Sequence, residues 1–387
     1  MFTIQIMNNI SREGLSEFSP DKYQVGSEPG NPGAILLRSA DLHKIEIPQS
    51  VLAIARAGAG YNNIPVDMCS ERGIVVFNTP GANANAVKEL TLAALFLSSR
   101  GIYDSIRWLD SLEAYGDEFP ALIEKEKKRF EGPEISGKIL GVIGLGSIGV
   151  MVANDAAALG MEVIGYDPYI SVNAAWNLSS SIRPARTIEE VLRDSDYVSI
   201  HVPYSNATKD MINADKLKIM KKGARLLNFA RGGLAKEADV ISALDSGCLS
   251  VYITDFPTVE LLRHRKVICI PHLGASTPEA EINCAVSAVR QLRNFLENGV
   301  IENSVNFPAC RLVRNSPYRL TVANRNIPNM VGQITTLLAS GGINITDLLN
   351  HHKDGFAYNI IDTEQKIPAG VLAALEKIPG IIRVRTI

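Results

Sequence analysis

The sequence has little of what marks several common classes of protein. Its 387 residues include five cysteines with no C-x-x-C pair, so neither a disulfide framework nor a zinc or other metal site is indicated. No apolar run is long enough to cross a bilayer, and the start of the chain lacks the basic and apolar segments of a secretory signal. The formal net charge of -2 gives no reason to expect a nucleic-acid or membrane partner. We therefore expect a cytoplasmic protein with reduced, mostly buried thiols.

What the sequence does contain is a repeated alternation of apolar runs and helical patterns. At 387 residues it is long enough for two or three domains, and 46% hydrophobic with 21% charged residues is typical of a soluble globular protein. Alternation of this kind predicts parallel sheets. The predicted strands are Thr3–Met7, Ala34–Leu37, Val51–Ala55, Ile74–Phe77, Ile139–Ile143, Glu162–Tyr166, Tyr197–Val202, Ala224–Phe229, Val251–Thr254 and Val267–Ile270.

Helical patterns lie between these runs. Asn85–Arg100 follows a Pro-Gly turn, is largely apolar, and is predicted to lead out of the first domain. Glu113–Gly132 is expected to be irregular and to form a charged, solvated face. Further helices are predicted over Ile188–Arg193, Ala238–Leu244 and Pro278–Asn298, the last of which is stopped by Asn298-Gly299.

A glycine-rich turn follows the predicted strand Ile139–Ile143. Gly144, Gly146 and Gly149 have the G-x-G-x-x-G spacing of a dinucleotide-binding turn, in which a helix start faces the pyrophosphate. Asp167 ends the next predicted strand, roughly 20 residues downstream, where an acid meets the ribose hydroxyls. Glycines that serve only a tight turn are the alternative, but the strand, helix and acid together favour a nucleotide site. Because a carboxylate repels the 2′-phosphate of NADP, the pattern predicts NAD.

Two arginines follow early strands. Arg38-Ser39 comes after the second predicted strand and Arg56-Ala57-Gly58 after the third. Ligands bind at the carboxyl ends of parallel strands, so the two guanidinium groups could hold an anion through charge-assisted hydrogen bonds. Either arginine alone is as often a surface residue with a solvated head. Together these five residues are our candidate site for a substrate phosphate.

The later strands also end in polar residues. His201 with Pro203, Arg231, Asp255 and His272 each follow a different predicted strand. Taken singly, Arg231 is more often a salt-bridging residue and His272 a histidine with ordinary hydrogen bonds. Their repetition at one edge of a sheet, beside the glycine turn, indicates an active site.

The order of these motifs resembles that of the D-isomer-specific 2-hydroxyacid dehydrogenases. The matching residues are Val142–Gly149, His201–Pro203 with Thr208, Asn228–Gly233, Asp255 with Glu260, and Pro271–Thr277. The resemblance implies an α/β fold with a Rossmann-type NAD-binding domain inserted in a flavodoxin-like substrate domain. It implies residues 98–283 for the NAD-binding domain and residues 1–97 with 284–306 for the substrate domain, with the active-site cleft between the two.

The resemblance also implies a role for each matching residue. Arg231 would bind the substrate carboxylate, His272 would act as acid/base, and Glu260 would orient the imidazole. The loop between Glu260 and His272 is shorter than in many members and lacks the usual Glu-Pro pair, and His264 within it is the second histidine to consider. The implied NAD contacts are Gly144, Gly146, Ser147, Ile148, Gly149, Asp167, His201, Pro203, Thr208, Ala230, Asp255, Gly274 and Ala275.

The two arginine motifs narrow the implied substrate. Arg38-Ser39, Arg56–Gly58 and Pro271–Thr277 resemble the members that oxidise D-3-phosphoglycerate to 3-phosphohydroxypyruvate, the first step of L-serine synthesis. A reductase of glyoxylate or hydroxypyruvate is one alternative, although an uncharged tail would need neither arginine. A non-catalytic NAD-sensing protein is another, and the retained arginine, glutamate and histidine argue against it.

The pattern changes after Phe307. Cys310–Pro317 is a short basic segment that we take as a linker, and the following elements have the βαββαβ order of a ferredoxin-like domain. They are the strands Arg319–Ala323, Asn344–His351, Ala357–Thr363 and Ile381–Arg385 and the helices Val331–Ser340 and Pro368–Lys377. We predict a separate domain over residues 317–387.

This C-terminal region resembles the ACT regulatory domain through Asn326–Gly332 and Gly341–Ile345. Asn329 stands where ACT domains usually have glycine, which asparagine can replace because it enters the left-handed conformation readily. The resemblance implies an L-serine effector bound between two copies by Asn324, Asn326 and Asn344, and hence a homodimer or homotetramer. A domain that serves only oligomerisation is the alternative.

Overall fold

The computed structural model describes residues 1–112, 116 and 118–387, and the chain folds into two compact units. The first unit consists of Met1–Asn83 and Pro278–Ile387, and the second of Ala84–Thr277. No helix among the described residues is long and apolar enough to cross a membrane. The chain therefore passes between the units twice, at residues 83–84 and 277–278.

A parallel sheet of five strands opens the first unit. It contains β1 (Phe2–Met7), β2 (Tyr23–Gly26), β3 (Ala34–Leu37), β4 (Ala53–Arg56) and β5 (Val75–Phe77), with short helices α1 (Arg12–Leu15) and α2 (Val66–Glu71). The strands lie in the order β2-β1-β3-β4-β5. The sequence pattern does not predict β2, because Tyr23–Gly26 contains a glutamine and a glycine and lacks the continuous apolar run that marks β3.

A second parallel sheet, of seven strands, organises the second unit. Its strands are β6 (Ile139–Ile143), β7 (Glu162–Tyr166), β8 (Arg183–Pro184), β9 (Tyr197–Ile200), β10 (Ala224–Asn228), β11 (Leu249–Thr254) and β12 (Val267–Cys269). The accompanying helices are α3 (Ala84–Ser99), α4 (Ile102–Asp110), α5 (Phe119–Glu126), α6 (Ser147–Ala158), α7 (Val172–Asn177), α8 (Ile188–Asp194), α9 (Ala214–Lys218), α10 (Glu237–Asp245) and α11 (Val259–Leu262). The strand order is β12-β11-β10-β9-β6-β7-β8. Chain order reverses at β6, which confirms the predicted Rossmann-type sheet.

Helix α3 determines where the second unit begins. Its residues Val87, Ala94 and Leu95 are buried in the same apolar cluster as Val150 and Val152 of α6. The helix thus belongs to the nucleotide-binding side from its first residue. The observed limits, at residues 83 and 277, precede the expected limits at residues 97 and 283.

The charged segment Glu113–Gly132 is not irregular throughout. Phe119–Glu126 forms α5 with a proline in its first turn, and Lys127–Phe130 continues as a 3-10 turn. Residues 113–115 and 117 lie outside the described residues. No residue of α5 is buried, and its apolar residues Phe119, Leu122 and Ile123 span only one turn, which is too short a pattern to predict a helix against the charged residues around it. Its surface is charged, as expected.

Helix α12 (Pro278–Asn298) returns the chain to the first unit with the predicted bounds. The C-terminal strands are β13 (Tyr318–Arg325), β14 (Ile345–Lys353), β15 (Phe356–Thr363) and β16 (Ile381–Thr386), with helices α13 (Met330–Ser340) and α14 (Ala369–Glu376). They form an antiparallel sheet in the order β14-β15-β13-β16. Asn329 has the left-handed φ of 68° that its position requires. The predicted βαββαβ order is confirmed.

One face of the C-terminal sheet is part of the core of the first unit. Ala323, Tyr358 and Ile360 are buried in the same cluster as Phe77 and Phe295. This arrangement differs from the separate domain expected over residues 317–387, because the sheet and the N-terminal region share one apolar core.

The predicted linker Cys310–Pro317 also begins inside this core. Cys310 is fully buried, and its backbone pairs with Ile301. Burial raises the pKa of the Cys310 thiol to about 12. The later residues of the segment are mostly exposed. Only that later part resembles a linker.

Two arginines join the C-terminal sheet to the end of α12. Arg319 donates from Nε and Nη2 to the two carboxylate oxygens of Asp362 at 2.6 and 2.8 Å, and both side chains are fully buried. Its Nη1 donates to the carbonyl oxygen of Asn298 at 2.9 Å. Arg385 donates to the carbonyl oxygen of Phe295 at 3.0 Å. Arg319 therefore satisfies the last carbonyl group of the helix, and Arg385 adds a second donor to the Phe295 carbonyl oxygen, which also accepts from the Gly299 backbone N–H at 2.9 Å.

Candidate active site

Strand β6, the glycine turn and helix α6 form the nucleotide site. Gly144 has a φ of 93°, a conformation that favours glycine, and a Cβ there would lie 2.6 Å from the His201 carbonyl oxygen. A Cβ at Gly149 would clash with the Gly144 carbonyl group, whereas one at Gly146 would meet nothing within 4 Å. Gly146 caps α6 without a side-chain hydrogen bond. The first-turn N–H groups of α6 are therefore available to a pyrophosphate.

Asp167 ends β7 with its carboxylate held in place. Its Oδ2 accepts from the Leu145 backbone N–H and its Oδ1 from the Tyr169 backbone N–H, both at 2.8 Å. Each carboxylate oxygen keeps a further lone pair that can accept from a ribose hydroxyl. Together with Ser147 and Ile148 at the start of α6, these residues fit an NAD adenosine and pyrophosphate.

His201 follows β9, beside the glycine turn. Its Nε2 lies 2.8 Å from Ser199 Oγ, and its buried Nδ1 has no hydrogen-bond partner among the described residues. Although part of the residue is exposed, burial of the ring lowers the pKa of His201 to about 4. The ring is therefore neutral at neutral pH and keeps a nitrogen for the cofactor. The next loop is closed by Thr208 Oγ1, which donates to the Pro203 carbonyl oxygen at 2.7 Å.

Arg231 follows β10 on a turn that Asn228 shapes. The buried Asn228 accepts from the Ala230 backbone N–H at 3.2 Å and donates to the Arg231 carbonyl oxygen at 2.8 Å. Arg231 itself is exposed and donates from Nη1 to the Ala230 carbonyl oxygen at 2.7 Å. Its planar fork of donors suits a carboxylate. Asn228 thus shapes the turn that carries Arg231. Sequence reasoning includes it in the motif Asn228–Gly233 but gives it no role, and a polar residue that ends a buried strand is the signal that could have revealed one.

The loop after β12 folds around Asp255. The His272 backbone N–H donates to the Asp255 carbonyl oxygen at 3.0 Å, and that of Gly274 donates to Asp255 Oδ2 at 3.1 Å. Burial raises the pKa of Asp255, while the Gly274 N–H and the charges of His272 and Arg231 act to lower it. His272 has a strained φ of 37°, and its ring lies 4.9 Å from that of Phe256. The structure thus brings Arg231, Asp255 and His272 together.

Glu260 and His264 lie apart from this group. Glu260 is exposed in the first turn of α11, and no hydrogen bond joins it to His272 within the described parts of the chain. His264 Nε2 lies 3.1 Å from Asp245 Oδ1, and its Nδ1 accepts from the Lys266 backbone N–H at 3.2 Å. Because both ring nitrogens of His264 are occupied, the geometry favours His272 as the acid/base.

The phosphate candidates lie in the first unit. Register pairs Leu37 with Arg56 on adjacent parallel strands, so Arg38 and Arg56 stand at neighbouring carboxyl ends. Ala57 is buried, and a Cβ at Gly58, which has a φ of 145°, would clash with the Arg56 guanidinium group. Glycine at this position therefore makes room for the arginine.

Asn8 holds the turn at Arg38-Ser39 in place, and sequence reasoning did not single it out. It follows β1 with a φ of 71°, and its Oδ1 accepts from the backbone N–H groups of Ser39 at 3.0 Å and Ala40 at 2.6 Å. No motif singles out Asn8, since its partners are distant in the chain.

The three effector candidates differ in exposure. Asn324 is buried in β13, where its Oδ1 accepts from Asn359 Nδ2 at 2.7 Å and its Nδ2 donates to the Arg325 carbonyl oxygen at 2.7 Å. Its amide is thus used inside the sheet, which argues against a contact with an effector. Asn326 and Asn344 are exposed.

Comparison with known proteins shows what the second unit is similar to. Residues 92–274 match the family described as D-isomer specific 2-hydroxyacid dehydrogenase, NAD binding domain. The matched residues contain the glycine turn, Asp167, Arg231 and His272. This part of the chain is therefore similar to the NAD-binding domain of the D-isomer-specific 2-hydroxyacid dehydrogenases.

Among curated proteins, the chain is similar to D-3-phosphoglycerate dehydrogenases. It is 34% identical over 314 residues to that of Methanocaldococcus jannaschii, covering 79% of this chain and 56% of the relative. It is 31% identical over 327 residues to that of Bacillus subtilis, covering 80% and 60%. The solved NAD+-bound 3-phosphoglycerate dehydrogenase of Entamoeba histolytica has a TM-score of 0.61 and 25% identity, covering 79% of this chain and 98% of that one. The chain spans little more than half the length of these two curated relatives.

Proposed function

We propose that this chain oxidises D-3-phosphoglycerate to 3-phosphohydroxypyruvate with NAD, the first step of L-serine synthesis. The observation that carries the proposal is the placement of Arg38 and Arg56 at neighbouring strand ends. A substrate with a phosphate on its third carbon uses two cations, whereas an uncharged tail uses neither. Similarity to D-3-phosphoglycerate dehydrogenases supports the same substrate.

The residues of the second unit suit the oxidation itself. NAD bound at the glycine turn would supply the acceptor for the hydride that leaves C2 of the substrate. Arg231 pairs with the substrate carboxylate and polarises the C2 oxygen, and His272 removes the proton of the C2 hydroxyl group. A histidine suits this step because imidazole titrates near neutral pH.

Two carboxylates complete the proposed roles. Asp255 is a cofactor contact on the nicotinamide side, and Glu260 is the group that orients the His272 imidazole. Glu260 keeps this role in our proposal because catalytic hydrogen bonds often form only in the substrate complex.

A panel of substrates tests this proposal. We expect the specificity constant for D-3-phosphoglycerate to exceed that for D-glycerate. Arg38→Ala or Arg56→Ala should lower the ratio of these two constants by at least about tenfold, because a charge-assisted hydrogen bond contributes about 1.5–3 kcal/mol. Equal losses on both substrates would assign the arginines a structural role. A preference for glyoxylate or hydroxypyruvate would favour a reductase, and failure to turn over any substrate would favour an NAD sensor.

We also propose that the C-terminal sheet and its helices form an ACT-like domain that binds L-serine. An amino acid offers a carboxylate and an ammonium group, which suit the exposed amides of Asn326 and Asn344 and the backbone N–H groups at the start of α13. Pairing of two such domains would make the protein a homodimer or homotetramer. Calorimetry with serine should give heat for the full chain and much less for Asn344→Ala. No heat up to millimolar serine would leave oligomerisation as the role of this domain.

A further inference from the structure

A carboxylate already occupies part of the proposed phosphate site. Glu281, in the first turn of α12, pairs with Arg38 at 2.5 Å between Oε1 and Nη1. The side chains are 48% and 36% exposed, respectively. Both residues belong to the first unit, so the pair lies within one compact body. A free anion that approaches Arg38 therefore meets a guanidinium group that is already neutralised.

The second arginine is close to this pair, because the strand register places Arg38 and Arg56 at neighbouring carboxyl ends. Cys284 is buried one turn further along α12. Burial raises the pKa of its thiol, the charges of Arg38 and Arg56 act to lower it, and the charge of Glu281 acts to raise it. The charged groups of Arg38, Arg56 and Glu281 therefore all lie near Cys284. Their formal sum is a single positive charge, where two arginines alone would give two.

We propose that Glu281 is a specificity-determining residue that tunes this site for the charge of the substrate tail. In the free protein it neutralises Arg38, and it must release the guanidinium group when a phosphate binds. Resting on the function proposed above, this inference predicts that the glutamate weakens binding of the phosphorylated substrate and leaves the unphosphorylated one unaffected.

The exposure of the pair explains why the exchange is feasible. Ion pairs between exposed side chains contribute little to stability, so a phosphate can displace the carboxylate at small cost. A phosphate offers several oxygens to a guanidinium fork and forms stronger bidentate contacts than one carboxylate oxygen. After displacement, Glu281 remains near the phosphate as a like charge. The repulsion raises the Michaelis constant without preventing binding.

The test compares Glu281→Gln with the matched control Glu279→Gln. Glu279 is an exposed acid in the same helical turn. Its loss therefore changes the net charge, and removes a negative charge from the start of α12, by the same amount as the loss of Glu281. We expect Glu281→Gln to lower the Michaelis constant for D-3-phosphoglycerate by about three- to fivefold, with kcat little changed, since an exposed charge interaction is worth up to about that factor. The Michaelis constant for D-glycerate should stay constant in both variants, as should that for D-3-phosphoglycerate in Glu279→Gln.

Each other outcome overturns the inference. An unchanged or higher Michaelis constant for D-3-phosphoglycerate in Glu281→Gln would show that the carboxylate does not compete, or that it positions Arg38 instead. An equal decrease of this Michaelis constant in Glu279→Gln would show that the effect comes from the change in net charge and not from the pair with Arg38. If the unaltered chain does not turn over D-3-phosphoglycerate at all, the proposed function fails, and this inference fails with it. If the unaltered chain turns over this substrate and the variant shows no gain, only the inference fails.

Discussion

We propose that Asp167 acts on the choice between NAD and NADP through its charge and its position. Two backbone N–H groups hold its carboxylate at the end of β7, so the negative charge cannot move away from the ribose. A 2′-phosphate placed at the same point would meet a like charge in a partly buried site, where repulsion is stronger than in water. We therefore expect the residue to favour NAD over NADP.

Removal of this charge should narrow the preference for NAD. We expect Asp167→Asn, which keeps an acceptor for Leu145, to reduce the ratio of specificity constants for NAD and NADP by about tenfold. Asp167→Ala should reduce the ratio similarly but weaken both cofactors, because it also loses the hydrogen bond to the glycine turn. A ratio that stays the same in both variants would place the specificity elsewhere.

His201 should make folding stability depend on pH. Its ordinary pKa of 6.5 falls to about 4 in the folded protein, so between these values the unfolded chain binds a proton that the folded chain does not. Stability should therefore fall as pH decreases through this window, by up to about 1.4 kcal/mol per pH unit. Thermal unfolding measured between pH 7 and about pH 5 should show a smaller loss of stability for His201→Asn than for the unaltered chain.

The exposed His43 offers the matched control for this measurement. His43→Asn should keep the full pH dependence of the unaltered chain. A dependence that is identical in all three proteins would show that His201 titrates normally.

Single residues differ in how far their roles can be predicted from the sequence. Gly144, Gly149 and Asp167 stand in a local pattern whose geometry repeats, and their conformations and contacts agree with it. The pairing of Arg38 with Glu281 has no such pattern, because the two are distant in the chain. Only the packing of α12 against the first sheet brings them together.

Helix α12 is the element whose contacts connect most parts of the first unit. Its first turn carries Glu281, which pairs with Arg38, and its last carbonyl groups accept from Arg319 and Arg385. A cation at a helix C-terminus is favourable because the unpaired carbonyl groups carry negative partial charge. The bounds of this helix could be predicted from its periodicity and from Gly299. Its partners could not, since Arg319 and Arg385 read in the sequence as ordinary charged strand residues.

Loss of Arg319 should destabilise the first unit strongly. Arg319→Met leaves Asp362 buried without its partner, which typically costs about 3–5 kcal/mol. Urea unfolding should show the transition at a clearly lower midpoint. Arg311→Met is the matched control, because the Arg311–Glu302 pair has side chains 75% and 39% exposed and should contribute about 0–1 kcal/mol. Equal effects of the two changes would mean that the buried pair does not stabilise the first unit more than an exposed pair does.

The whole molecule has fewer independent parts than its sequence indicates. Composition and element order predict three domains, whereas the C-terminal sheet packs on the N-terminal region. Phe307 lies 5.8 Å from Phe356 between ring centroids, and the Tyr358 hydroxyl group donates to the Gly299 carbonyl oxygen at 3.0 Å. Sequence reasoning recognised the elements, but it could not determine that the second face of the sheet would be covered. That face carries polar residues such as Arg319 and Thr321, which read in the sequence as solvent-facing although they are buried.

A chain that ends at Pro317 should therefore not fold normally. Phe77 and Phe307 are fully buried in the core of the first unit. Without the sheet, these side chains would become exposed to solvent. We expect this shortened chain to bind a hydrophobic dye and to lose cooperative thermal unfolding of the first unit. The full chain nicked within the exposed residues 311–316 is the control, and its two pieces should elute together. A shortened chain that melts like the full chain would show that the domains fold independently.

The most direct test of the catalytic assignment is the rate of NADH formation from NAD and D-3-phosphoglycerate, measured by nicotinamide absorbance for the full chain and for His272→Gln. The unaltered chain should turn over the D-isomer and not the L-isomer. The variant should lose about 10²-fold or more in kcat while it binds NADH with the same affinity, because only proton transfer is removed. No NADH formation by the unaltered chain, or an undiminished kcat in His272→Gln, would contradict the account.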